Sequence, residues 1–234
     1  TRIFHSLFAD GLIKNGYSGV KISTPDKVGT LDVKFDESDC EAFMSGYDQE
    51  NCVNPNALIE YIKKTQIENY NELVSSCGSE TDEIIKKSVI KEIEDRGMLY
   101  VLQNGFDIKG LPFFMHFEAF AKKPSDYALG EAEKRDYAAN DFACIHEFKY
   151  CELNNERIDF AIFVNGLPLF DVELKTKLAG SHYNYVDAIT QYEDRVKSSK
   201  RAEAYHKYWS NKTGMLVHFA VDDNNAYICT NVKE

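Results

Sequence analysis

Between Arg157 and Thr176 the chain writes two apolar runs joined by Asn165-Gly166. Asn-Gly between such runs is a strong signal for a β-hairpin. After Asp159 the first run, ending at Val164, is wholly apolar, so it reads as a buried strand with an acid at its start. The return run extends from Pro168 to Lys175 and carries Glu173 and Lys175 near its end. A charge in such a place costs several kcal/mol unless it is paired or bound to a metal. The hairpin therefore implies a buried sheet and a charged set, Asp159, Glu173 and Lys175, able to satisfy itself around a cation.

Side chains alternate faces along a strand, so Glu173 and Lys175 share a face, together with Leu169 and Asp171. A two-residue Asn-Gly loop with regular pairing sets Val164 against Leu167 and Asp159 against Val172, on the wrong face. A three-residue loop sets Asp159 against Glu173, with Cβ atoms about 5 Å apart, close enough to share one ion. The expectation is an odd-length loop with Gly166 at positive φ, or an equivalent bulge. Two carboxylates suit Mg²⁺, a hard cation that keeps several waters. Lys175 on the same face is placed to orient or deprotonate a metal-bound water or to stabilise developing phosphorane charge. The same three residues also fit an ordinary ion pair on a half-exposed strand.

Elsewhere, helical periodicity spans Ala57 to Leu73, and small polar residues at 75–81 break it. Thr81 or Asp82 is expected to cap an amphipathic helix running to Gln103, with Ile85, Val89, Ile93 and Leu102 on one stripe and a stop at Asn104-Gly105. Strand-like runs follow at 112–121, 141–150, 157–164 and 168–176, with a polar loop after the first. A helix over Tyr183 to Val196 and two strands joined through Asp222-Asp223-Asn224-Asn225 close the chain. This order predicts an α/β fold, a mixed β-sheet flanked by helices, with residues 1–75 a small N-terminal extension and 76–234 the core.

Acid-x-Lys alone is a weak pattern. It occurs at Asp32, Asp107, Glu147 and Glu173, and the hairpin context selects the last. The six cysteines form no C-x-x-C pair and the histidines no i, i+4 pair around a glutamate, so zinc is not assigned and the thiols are expected to be reduced, as in a cytoplasmic protein. No apolar run approaches the ~18 residues of a membrane span. The net charge of −11 argues against a domain that grips nucleic acid unaided. The chain starts at Thr1, which suggests a piece of something longer.

The run RIDFAIFVNGLPLFDVELK resembles the core of the N-terminal endonuclease domain of type I restriction enzyme R (motor) subunits, within the PD-(D/E)xK superfamily. Asn-Gly-Leu-Pro-Leu at 165–169 is its most specific part. Most of the chain shares the order of elements, but the likeness is sharp only over 157–175. The resemblance implies a restriction-endonuclease-like core that hydrolyses double-stranded DNA with Mg²⁺, with Asp159 and Glu173 as metal-binding acids and Lys175 as the catalytic lysine. It also implies methyltransferase and specificity subunits as partners, and an ATP-driven motor domain on the same polypeptide. No G-x-x-x-x-G-K-[ST] loop is present, so ATP is not assigned here and a motor is expected beyond Glu234. The family's Gln-x-x-x-Tyr signature is matched by Gln191, but Arg195 stands at the fourth position after it and the tyrosine is Tyr192. Ile158 replaces the usual proline. Glu92 or Glu94 is a candidate third acid, or part of a solvated helix face. Two other readings stay open: a catalytically silent nuclease-like assembly domain, and a free-standing repair nuclease.

Overall fold

The hairpin forms, by a route that joins both turn geometries. In the computed structural model, which describes residues 37–116, 138–151, 155–176, 183–201 and 207–232, the loop has two residues: Val164 pairs with Leu167, and Asn165 and Gly166 both take positive φ, 50° and 81°. The pairing then slips by one residue, from Phe163–Pro168 to Ile162–Phe170. Leu169 is the extra residue, a β-bulge whose carbonyl accepts the Leu216 N–H at 3.1 Å instead. The expected odd-length loop is thus replaced by its equivalent, a regular turn plus a bulge. A Cβ at Gly166 would lie 2.2 Å from the Asn54 carbonyl, so glycine is needed there for space as well as for φ.

Among the described residues five helices precede the sheet: α1 (Glu37–Gly46), α2 (Pro55–Thr65), α3 (Ile67–Cys77), α4 (Thr81–Arg96) and α5 (Met98–Asn104). A two-stranded ribbon follows, β1 (Phe106–Ile108) with β2 (Leu111–Phe113). The main sheet comprises β3 (Phe142–Phe148), β4 (Ile158–Val164), β5 (Leu167–Leu174), β6 (Val217–Val221) and β7 (Ala226–Cys229), in that spatial order. Helix α6 (Tyr185–Arg201) crosses from β5 to β6, the parallel pair; the other neighbours are antiparallel. This is the expected α/β arrangement of a mixed sheet flanked by helices, compatible with a restriction-endonuclease-like fold.

Two expected helices are each divided in two. Gln66 interrupts the first, and its side-chain amide bonds both backbone groups of Phe114 at 2.7 and 2.8 Å, clamping the ribbon's end. Gly97, at φ 98°, interrupts the second; its N–H closes α4 on the Ile93 carbonyl, and the next N–H, of Met98, turns to the Lys212 carbonyl at 2.7 Å. Thr81 opens α4 but bonds back to the Gly78 carbonyl rather than capping the helix. The rest of the 112–121 run beyond residue 116, most of the polar loop after it, and Asp32 lie outside the described residues.

One hydrophobic cluster joins α2 to α5 and the ribbon with Val164 and Leu167 at the hairpin tip. Leu58, Ile62 and Leu73 share it with Ile85, Val89 and Ile93, so residues on both sides of position 75 contribute to one core. The hairpin turn is its fastener: Asn54 N–H donates to the Gly166 carbonyl at 2.7 Å, and buried Asn165 donates to the Met115 carbonyl at 2.9 Å and accepts from the Asp141 N–H at 2.7 Å. The second cluster lies between the sheet and α6. It packs Ala161 and Phe163 of β4 against Ala188, Tyr192 and Val196 of the helix, with Tyr208 and Trp209 beside them. All six cysteines are free thiols. No helix among the described residues is long and apolar enough to cross a membrane.

Candidate active site

The bulge at Leu169 decides what faces what. Past it, Ala161 pairs with Asp171 and Phe160 with Val172, and the same register carries Asp159 opposite Glu173. The strand that begins with one acid is thereby set against the strand that ends with another. Asp159 reaches across and accepts the Leu174 N–H at 2.7 Å, which fixes its carboxylate at the end of the β4–β5 ladder. Lys175 continues β5 past its last ladder residue, with its N–H on the Val221 carbonyl at 2.8 Å.

Helix α6 supplies the other wall. Asn184 and Asp187 form a reciprocal capping box: the Asn184 side chain accepts the Val186 N–H at 2.8 Å, and Asp187 accepts the Asn184 N–H at 2.7 Å. Asp222, in the β6–β7 turn, accepts the Tyr185 N–H at 3.2 Å and ties the helix start to the sheet. With the start fixed, Ala188, Tyr192 and Val196, four apart, face the core, while Gln191 and Arg195, also four apart, flank that stripe on the side of the acids.

The residues meet in a cleft of about 740 Å³ lined by Asp159, Lys175, Gln191 and Arg195, with Glu156, Asp187 and Asp194 at its margins. Glu173 lies buried at its edge, 1% exposed. One carboxylate oxygen takes Arg195 Nη1, and the other lies 3.5 Å from Lys175 Nζ. Lys175 Nζ also donates to Gln191 Oε1, and Arg195 Nη2 donates to the Arg157 carbonyl. Burial pushes Glu173 up to about 7, helped by repulsion from Asp159 and opposed by Arg195 and Lys175. Burial also raises Asp159, against the pull of the Leu174 N–H and Lys175. Burial draws the Arg195 guanidinium downward, but Glu173 outweighs it and the pKa rises.

All four expected residues, Asp159, Glu173, Lys175 and Gln191, are therefore neighbours. Glu92 and Glu94 are not among them: Glu92 pairs with Arg96 one turn along α4, and Glu94 with Lys207, because α4 packs its apolar stripe into the other core. In the sequence Arg195 stands out only as a departure from the family signature, although its spacing from Gln191 gives it the same helix face. The hairpin context sets Glu147 aside, yet that residue sits on β3 between His146 and Phe148, the partners of Phe160 and Ile158, and its charge adds to the upward push on Asp159. Asp171, two residues before Glu173, is fully buried under a hydrogen-bond cage of Tyr192, Tyr208 and His218.

Among the described residues no three or more His, Cys, Asp and Glu side chains form a ready metal cage. The pair Asp159 and Glu173 nevertheless fits Mg²⁺, which takes one or two carboxylates and keeps its waters. Two crowded carboxylates with raised pKa values are also where added positive charge is most stabilising.

The family model for the type I restriction enzyme R protein N terminus matches residues 59–234, which includes every residue of this cleft. No curated protein and no solved structure matches the chain.

Proposed function

The chain belongs to the type I restriction enzyme R protein N-terminal family, and on that premise we propose that the cleft is a metal-dependent endonuclease site that cuts double-stranded DNA. The reading is carried by the register: the Leu169 bulge sets the two acids face to face, with Lys175 next to both on the cleft wall. Asp159 and Glu173 would hold Mg²⁺. The ion would polarise a phosphate oxygen and acidify a bound water.

The chain's own residues do the rest. Gln191 holds Lys175 Nζ through its amide oxygen, so the ammonium is aimed rather than free to swing. From there Lys175 orients the attacking water or a phosphate oxygen and stabilises charge that develops on the phosphorus centre. Burial excludes competing solvent from Glu173 and strengthens each of these interactions. Recognition of sequence, translocation along DNA and the assembly with methyltransferase and specificity subunits would lie with other parts of the enzyme. The acidic rim of Glu156, Asp187 and Asp194 agrees with a site to which DNA is brought by its partners.

A second reading has one observation in its favour. Glu173 already has two cations within reach, so the set could serve as ion pairs in a silent assembly domain. Lys175→Ala in the assembled enzyme separates the two. Loss of nicking with ATP turnover retained is the expected result. Unchanged nicking would leave the assembly role standing and remove the nuclease.

A further inference from the structure

Arg195 is the most deeply committed cation in the protein's described part. It is 6% exposed, and both arms of its fork are used, one on Glu173 and one on the Arg157 carbonyl. Those contacts tie together three pieces of chain: α6, the end of β5, and the residue that leads into β4 two positions before Asp159. A lysine could not do this, because an ammonium is a point donor without the planar fork.

The charges also balance. Asp159 and Glu173 contribute two negative charges, and Lys175 and Arg195 two positive ones. A buried carboxylate with another carboxylate opposite it is unfavourable without a cation. In the protein as described, Arg195 is the cation in direct hydrogen-bonded contact with Glu173.

We propose that Arg195 is the internal counter-ion of Glu173, a positioning residue that supplies the positive charge this acid needs before a divalent cation arrives. The acid pair is thereby assembled in the metal-free protein, and a divalent ion enters a site whose charge is already matched. Arg195 and the metal are then alternative sources of the same stabilisation, and metal binding adds less to the wild-type fold than to one that lacks this guanidinium. The inference rests on the metal-dependent reading of the cleft.

The test is thermal unfolding of the chain with EDTA and with millimolar Mn²⁺, followed through the single tryptophan, Trp209, which packs against Tyr192. Arg195→Met keeps the stem's bulk and removes the charge. It is expected to melt well below wild type in EDTA and to gain from Mn²⁺ at least about 5 °C more than wild type gains. Arg195→Lys should respond to Mn²⁺ like wild type. In the double variant Glu173→Gln with Arg195→Met, removal of both charges should restore melting in EDTA to near wild type and abolish the Mn²⁺ response. An Arg195→Met protein that melts like wild type in EDTA overturns the counter-ion role. So does a double variant as unstable as Arg195→Met, which also decides the matter should the single variant not fold. If Mn²⁺ shifts neither wild type nor Arg195→Met, while the double variant still restores stability, the metal-dependent reading is what fails.

Discussion

Asp171 and Glu173 are two residues apart, on one face of one strand, and both are almost fully buried, yet their surroundings differ in kind. Asp171 is enclosed by two phenols and an imidazole: Tyr192 at 2.8 Å, Tyr208 at 2.5 Å and His218 Nδ1 at 2.9 Å. None of these donors lines the cleft. Glu173 is met by a second carboxylate and by two cations, at the margin of a solvent-filled opening. Burial alone does not mark a functional acid. A carboxylate capped by uncharged phenols is fully served by the fold, whereas one crowded by a like charge and held by cations invites a metal.

The sharpest way to break that contrast is to neutralise each acid and read both activity and stability. Glu173→Gln keeps an acceptor for Arg195 but removes the charge that would bind metal. Cleavage should fall on the order of 10³-fold, the scale of losing one electrostatic partner of a transition state. Asp171→Ala removes the acceptor shared by three buried groups, of which Tyr192 keeps the Phe219 carbonyl at 3.2 Å. Its cost should be about 3–5 kcal/mol of stability, a drop in Tm of roughly 10 °C, read by calorimetry. Equal effects of both substitutions in both assays would erase the distinction.

Lowering pH comes next in size. Glu173 binds its proton more tightly in the folded chain than when unfolded, because its pKa is raised to about 7. Its protonation therefore stabilises the fold: that contribution is fully present below the ordinary carboxylate range and is lost as pH rises through about 7. Cleavage needs the ionised form, so it should rise over the same window, about tenfold per pH unit on the acid side at fixed Mg²⁺. Between about pH 5 and pH 8, activity and the metal-free stability attributable to this group should move in opposite directions. A rate that is flat across that interval would remove Glu173 from the chemistry.

Much of this arrangement was legible in the residues, and the limits were physical. Alternation along β5 correctly grouped Asp171, Glu173 and Lys175. The demand that Asp159 face Glu173 correctly required one extra residue, but periodicity did not say whether it sat in the loop or the strand. The bulge at Leu169 is set by the Leu216 N–H, a partner 47 positions away. Gly97 and Gln66 divide helices for tertiary reasons, through Lys212 and Phe114, that local propensity does not contain. In the sequence Arg195 is a departure from a family signature and nothing marks it as a ligand, since its role depends on Glu173, 22 positions earlier. The same limit explains Glu92 and Glu94, whose helix turns out to serve the other core.

The finest test of the contrast uses adjacent residues of α6. Gln191 and Tyr192 follow one another, but the helix turns Gln191 to Lys175 and the cleft, and Tyr192 to Asp171 and the core. Gln191→Ala releases Lys175 Nζ from one of its two anchors, leaving Glu173 at 3.5 Å. Losing one hydrogen bond of about 1 kcal/mol should lower kcat roughly fivefold, with Tm unchanged because the side chain borders solvent. Tyr192→Phe removes a hydroxyl from a buried acceptor that keeps Tyr208 and His218. It should cost about 1 kcal/mol of stability and leave cleavage unaltered. Two neighbouring side chains would then report in separate assays. If Tyr192→Phe slowed cleavage as much as Gln191→Ala, the buried cage and the cleft would be one coupled unit rather than a scaffold and a site.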